Sequence, residues 1–336
     1  MRPTRYAWHA DAWRHAQSAL RRGAHALLIA GASGLGKGEF ALNLAASYLC
    51  ANTDPQEGAC GACESCHWLA AGTHPDFVLV ERPSDDDGAE RGASVTASAR
   101  ERPIGVDQIR ALAPMLSVSA HRDAGKVVVI RPAEALNLSA SNALLKSLEE
   151  PPSGVVFLLV ANRPALLPPT VRSRCQAITI PLQHEAAAAW LEGQGIDDPA
   201  LRLALAGGAP LEAVSIAAEP MWGKRQGFLN ALAQSGFEPI TIAEAYRDLP
   251  PPLVLSWLQK WTYDLIVMRY CARARYHVDL QPAIRAAAAC LDPVRVTRLY
   301  RTLLAFQRHV NHPLNPRLFI EQMLIEYARA VEGGGG

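Results

Sequence analysis

The chain has 336 residues, of which 49 % are hydrophobic and 19 % charged, and its formal net charge is +1. That length implies two or three domains with real cores, and the near-neutral charge excludes a global nucleic-acid-binding signature while leaving room for a local basic face. No apolar run approaches the ~20 residues that span a bilayer, and the start, with Arg2, Arg5, Asp11 and Arg14, has no signal-peptide pattern, so a cytoplasmic chain is expected.

Four continuous β-rich apolar runs are expected to be strands, at residues 26–29, 77–80, 127–130 and 155–160, with a weaker fifth at 177–180. Their lack of polar alternation suits parallel strands covered on both faces. Helical patterns lie between them. Phe40, Leu44 and Tyr48 recur every four residues after the first strand, and Leu138, Leu145 and Leu148 mark one face of a helix that Pro151 and Pro152 stop. This alternation predicts an open α/β sheet. Residues 82–103, with Asp85, Asp86 and Asp87, read as a mobile surface loop.

Beyond residue 180 the strand pattern ends. Short helices are expected near 184–192 and 199–206, closed by Gly207 and Gly208. From Pro210 the chain reads as all-helical, with a stripe of Val254, Trp257, Trp261, Leu265 and Met268. A last helix is expected to open on Asn315 as N-cap and Pro316, with Phe319, Met323 and Tyr327 on one side. These stripes read as core or subunit interface. No internal repeat is visible, and the glycine tail 333–336 is set aside.

After the first strand, Gly31-Ala-Ser-Gly34-Leu-Gly36-Lys37-Gly38 meets the phosphate-loop pattern G-x-x-x-x-G-K-[ST] except at its last position. The glycines allow backbone N–H groups to wrap a phosphate at a helix N-terminus, and Lys37 would reach the terminal phosphates. The Ser or Thr that places its hydroxyl on Mg²⁺ is replaced by Gly38. The acidic residue needed after a central strand is also missing: strand 127–130 runs into Arg131-Pro132, with Glu134 further on. Two losses on one metal argue that ATP is not hydrolysed here. The alternative is an ATPase that recruits Glu134.

Cys50, Cys60, Cys63 and Cys66 place four thiols within 17 residues, with two x2 steps and turns at Gly58 and Gly61. The spacing suits a closed, structural tetrahedral Zn²⁺ site; disulfides and an iron–sulfur cluster are the alternatives. His67 and His74 lie nearby. Cys175, Cys271 and Cys290 are isolated.

Taken together, these motifs make the chain resemble the delta-prime family of bacterial DNA polymerase III clamp-loader subunits, in the AAA+ superfamily. The resemblance is carried by the cysteine module directly after the P-loop helix, Gly72-Thr-His-Pro-Asp76, and the segment 138–152. Ser173-Arg174-Cys175, 314–318 and Tyr6-Ala-Trp8 extend it over nearly the whole chain. Leu211, aligned where gamma/tau ATPases carry an arginine, is a third departure from an active subunit.

The resemblance implies a P-loop AAA+ parallel-sheet domain with an inserted zinc module at 50–66 (residues 1–165), a small helical lid (166–208) and an all-α collar (209–332). It implies a non-hydrolysing subunit of the DNA polymerase holoenzyme, in a five-membered ring with gamma/tau and delta, that helps load the sliding clamp onto primed DNA. It makes Arg174 an arginine finger acting in trans on a gamma/tau ATP site, leaves nucleotide binding at Gly31, Gly34, Gly36 and Lys37 in doubt, and turns the helix start at 139–142 toward the DNA backbone. A gamma/tau-like ATPase and a stand-alone zinc-containing nucleic-acid binder are the rival readings.

Overall fold

Five strands pair in parallel in the order β2-β3-β4-β1-β5: β1 (Ala26–Ala30), β2 (Phe77–Val80), β3 (Lys126–Ile130), β4 (Val155–Ala161) and β5 (Gln176–Thr179). The computed structural model describes residues 5–83, 102–118, 125–218, 222–234, 236–310 and 315–332. Most of the expected surface loop at 82–103 and the glycine tail lie outside the described residues. Every residue of β1, β3 and β4 is buried, as helices on both faces require. β5 buries only Ile178, which fits its place at the sheet edge.

The chain divides into two compact units, Met1–Ala187 and Ala188–Gly336. The first contains α1 (Ala10–Arg21), α2 (Lys37–Leu49), α3 (Glu64–Ala71), α4 (Val106–Arg110), α5 (Ala113–Ser117), α6 (Leu138–Glu149) and α7 (Pro169–Arg172). Its α6 buries Ala140, Leu144 and Leu148, whereas Leu138 is 70 % exposed. The expected face of Leu138, Leu145 and Leu148 is therefore corrected. Leu138 stands seven residues, almost a whole number of turns, from Leu145. Leu145 is only partly buried against the core, and in the first turn that edge of the helix meets solvent. Asn137 starts the helix, its Oδ1 accepting from Ala140 N at 2.7 Å.

The division falls inside α8 (His184–Gly193). The second unit continues with α9 (Pro199–Leu205), α10 (Pro210–Ala218), α11 (Trp222–Ala233), α12 (Pro239–Ala245), α13 (Pro251–Cys271), α14 (Gln281–Cys290), α15 (Pro293–Phe306) and α16 (Pro316–Glu332). The expected stripes on α13 and α16 are its core: Val254, Trp257, Trp261, Leu265, Met268, Phe319, Met323 and Tyr327 are all buried. Trp261 Nε1 donates to Tyr327 Oη at 3.0 Å, and that hydroxyl donates to Leu232 O at 3.1 Å, so the buried polar tips are satisfied. Asn315 Oδ1 accepts from Arg317 N at 3.0 Å, as an N-cap does.

A buried polar cluster ties α11 to the turn after α13. Arg225 donates twice to Asp279, at 3.0 and 2.8 Å, and its Nη2 donates to His277 Nδ1 at 2.9 Å. Burial, reinforced by the Arg225 charge, pushes the His277 pKa down to about 3 and keeps the ring neutral. Asp264 accepts from the backbone N–H groups of Arg275, Tyr276 and His277.

Candidate functional site

The phosphate loop leaves β1 at Gly31 and enters α2 at Lys37. Gly36 has φ 73°. A Cβ there would lie 2.5 Å from the Tyr6 ring, so both backbone shape and space demand glycine. Tyr6 stacks on Trp8, with centroids 4.6 Å apart and planes 7° from parallel. Trp8 Nε1 donates to Leu35 O at 3.0 Å, and His9 Nε2 lies 2.7 Å from the same carbonyl. A carbonyl only accepts, so His9 carries its proton on Nε2; burial lowers its pKa and favours the neutral ring. The aromatic segment at the start of the chain thus clamps the loop.

Lys37 is only 4 % exposed, and its ammonium donates to Ala32 O, within the loop. Burial pulls its pKa down to about 8, against the opposing pull of Glu134 and Glu39. Glu134 is itself engaged with backbone: its carboxylate accepts from Asn162 N at 3.1 Å and Arg163 N at 3.3 Å, just past β4.

Position 38 is where the two sequence departures meet. A Cβ added to Gly38 would stand 2.9 Å from Arg131 Nη1. The guanidinium therefore takes the space in which a Ser or Thr side chain would reach a metal. Its Nε pairs with Glu81 Oε1 at 2.6 Å, from the residue that follows β2. Neither Arg131–Gly38 nor Arg131–Glu81 was legible in the sequence, because each joins residues far apart in the chain. The only trace was that Gly38 and Arg131 both break the metal pattern.

Cys50, Cys60, Cys63 and Cys66 bring their sulfurs within 4.8 Å of one another, and this is the one such His/Cys/Asp/Glu cluster of three or more among the described residues. Cys50 Sγ lies 3.8 Å from Cys63 Sγ and 3.7 Å from Cys66 Sγ. A tetrahedron with metal–sulfur bonds of ~2.3 Å has edges of about 3.8 Å, and a disulfide would need ~2.05 Å. The donor set fits a four-coordinate thiolate metal site. Burial pushes the Cys66 thiol up to about 12, whereas at Cys63 hydrogen bonds from Cys66 and Ala51 N–H groups outweigh burial and bring it down to about 6.

His67 and His74 stay outside this cluster. His67 Nε2 contacts Ala62 O at 3.1 Å. His74 is buried, with Nε2 2.8 Å from Ser65 Oγ and Nδ1 accepting from Asp76 N at 3.0 Å. Ser65 in turn donates to Leu49 O at 2.7 Å, and Asp76 faces Lys126 at 3.5 Å, both buried. The segment 72–76 thereby ties the cysteine knuckle to the sheet.

Arg174 lies just beyond α7. Its Nη1 donates to Thr170 O at 2.8 Å, and its Nη2 pairs with Glu149 at the end of α6. The side chain remains 34 % exposed and that of Glu149 47 %.

Residues 8–184 match a family model described as DNA polymerase III, delta subunit, and 219–329 match its C-terminal counterpart. The chain is similar to DNA polymerase III subunit delta′ of Pseudomonas aeruginosa, with 33 % identity over 96 % of this chain and 97 % of the relative. It is also similar to subunit delta′ of Escherichia coli K12, with 28 % identity over 93 % and 91 % of the two chains. DNA polymerase III subunit tau of Bacillus subtilis shares 30 % identity over only 45 % of this chain and 24 % of its own length.

Two measurements check the loop geometry. Gly38→Ala should gain the helix-propensity difference of ~0.5–1 kcal/mol only where Arg131→Ser has cleared the space. Additive effects of the two changes in urea unfolding would mean that the guanidinium does not hold position 38. The second concerns Lys37. Its folded pKa of about 8 lies below the ordinary lysine value, so the unfolded chain holds more protons between about pH 8 and 10.4. Stability therefore rises with pH across that window, and the cost of burying the charge is complete below it. Relative to Lys37→Met, the wild type should gain about 1–2 kcal/mol from pH 7.5 to 9.5, and parallel urea curves would refute the shift.

Proposed function

The chain belongs to the DNA polymerase III delta-prime family, and from that membership we propose that it serves the clamp loader as a subunit that hydrolyses no ATP itself. The observation that carries this reading is the Arg131 guanidinium against Gly38. A P-loop ATPase needs Mg²⁺ held by a loop hydroxyl and a strand-end carboxylate. Here the Arg131 guanidinium, paired with Glu81, occupies the space of the first, and Arg131 itself stands in place of the second. Close approach of a divalent cation to a guanidinium is repulsive, so the loss goes beyond missing ligands. Gly31, Gly34, Gly36 and Lys37 are then a retained scaffold, with Lys37 turned onto Ala32 O.

The partners in this reading are gamma/tau and delta subunits in a five-membered ring acting on the sliding clamp and primed DNA. In this reading residues 1–165 act as ATPase-like domain together with β5 of the sheet, the helices of 166–208 as lid, and 209–332 as collar. None of the helices is long and apolar enough to cross a membrane among the described residues.

Arg174 is the group proposed to act, in trans, on a gamma/tau nucleotide. Its resting partner is Glu149, in a pair exposed enough to be worth only ~0–1 kcal/mol. Leaving that pair for a γ-phosphate, with its charge-assisted bonds, costs little. Arginine fingers supply about 10³–10⁵ in rate. In a complex reconstituted with gamma/tau and delta, Arg174→Ala should cut DNA-stimulated ATP turnover at least about tenfold. Glu149→Gln, which releases the guanidinium, should preserve turnover, and the isolated chain should show none. Unchanged turnover with Arg174→Ala removes the finger; magnesium-dependent turnover by the isolated chain removes the non-hydrolysing reading.

The metal proposed for Cys50, Cys60, Cys63 and Cys66 is zinc. Four thiolates leave no open position, so the ion would tie the end of α2 to the start of α3 and perform no chemistry. Elemental analysis of the purified chain should find about one zinc per chain, and Cys60→Ser should lower both zinc content and Tm. Iron at that stoichiometry, or no metal, would overturn the assignment.

A further inference from the structure

Net charge conceals an uneven distribution in the second unit. Residues 251–310 contain nine Lys and Arg against three Asp and Glu. All three acids are already engaged. Asp264 accepts backbone N–H groups, Asp279 holds Arg225, and Asp292 caps α15 through Val294 N at 2.9 Å while facing Arg295 at 3.8 Å. Arg269, Arg273, Arg298, Arg301 and Arg308 are exposed, and their guanidinium groups have no ion-pair or hydrogen-bond partner among the described residues.

They stand on or just after α13 and α15. Arg298 and Arg301 are one helical turn apart on α15, and Arg308 follows in the turn after it. Gln259 of α13 donates to Leu303 O, while Arg269 lines the same small crevice as Pro293 and Val296. The two helices therefore run antiparallel, and the end of α13 lies beside the start of α15. Between Arg269 and Arg273 stands Tyr270, 73 % exposed.

We propose that this face binds a single nucleic-acid strand, with its phosphates on the arginines and a base on Tyr270. Neighbouring like charges on a helix cost stability, so an uncompensated stripe calls for a polyanion. Every member of the stripe is Arg, whose planar fork matches phosphate oxygens in pairs. An acidic protein would satisfy the charge but has no use for the exposed ring, whereas an unpaired base stacks on it. The inference is independent of ATP chemistry and of Arg174.

The test is fluorescence anisotropy of the full chain with a labelled oligothymidylate over a salt series. Binding should weaken as salt rises. Arg298→Ala, Arg301→Ala and Arg308→Ala together should lower the slope of log K against log salt by about 2 and weaken binding about a hundredfold at 100 mM salt. Tyr270→Ala should weaken single-strand binding about tenfold and leave duplex binding unchanged. Absence of binding, an unaltered slope in the triple variant, no effect of Tyr270→Ala, or equal competition by polyglutamate would each overturn the proposal. Thermal melting of each variant, expected to match the wild type, keeps a folding defect from passing as lost binding. All measurements use the isolated chain, so they fail or succeed separately from the clamp-loader assays.

Discussion

Because every strand of the sheet is parallel, the residues that follow the strands all emerge along one edge. The register sets Val80 beside Ile130, Ile130 beside Leu159 and Ala30 beside Ala161. Gly31, Glu81, Arg131 and Asn162, distant in the chain, are thereby delivered to one line. In a nucleotide-hydrolysing protein that edge assembles a phosphate loop and a metal-binding carboxylate. Here the same backbone brings a guanidinium against Gly38 and hands it to Glu81. On the proposed reading the framework persists, and a cation of the chain stands where one from solution would bind.

The exchange has electrostatic consistency. Lys37 and Arg131 are two cations near the loop, and each feels a carboxylate: Glu134 and Glu39 for Lys37, Glu81 for Arg131. Burial disfavours the Lys37 charge, and the loop carbonyl of Ala32 receives its ammonium. Trp8 and His9 both hold the Leu35 carbonyl. The loop's Leu35 carbonyl, Lys37 ammonium and Gly36 position are thus all engaged by contacts within the chain. Arg174, likewise, is held by one half-exposed ion pair and by local loop contacts.

The cysteine knuckle follows the same logic of fixing by many short contacts. Its four sulfurs lie within 4.8 Å of one another, and the Leu49–Ser65–His74–Asp76 chain of hydrogen bonds leads from it to the buried Lys126 at the start of β3. The second unit is organised differently. It is an all-helical core in which aliphatic side chains pack around Phe228, Trp257, Trp261 and Tyr327, with Arg225 and Asp279 paired inside and unpaired arginines exposed on and just after α13 and α15.

Much of this was readable from the amino-acid sequence. The strands, the P-loop with its two departures, the four-cysteine spacing and the apolar stripes of α13 and α16 depend on local pattern, which backbone periodicity writes directly into the chain. Leu138 escaped because periodicity gives direction around a helix but not whether anything covers its first turn. Arg131 against Gly38, Glu149 against Arg174 and the clamp on Leu35 escaped because each joins positions 25 or more residues apart. The basic face escaped because a net charge of +1 sums over the molecule and records nothing about which acids are already engaged. Sequence by itself determined which chemical parts the protein has and lacks. Only the tertiary structure decided what stands in the empty places, since that depends on which strand ends the parallel register brings side by side.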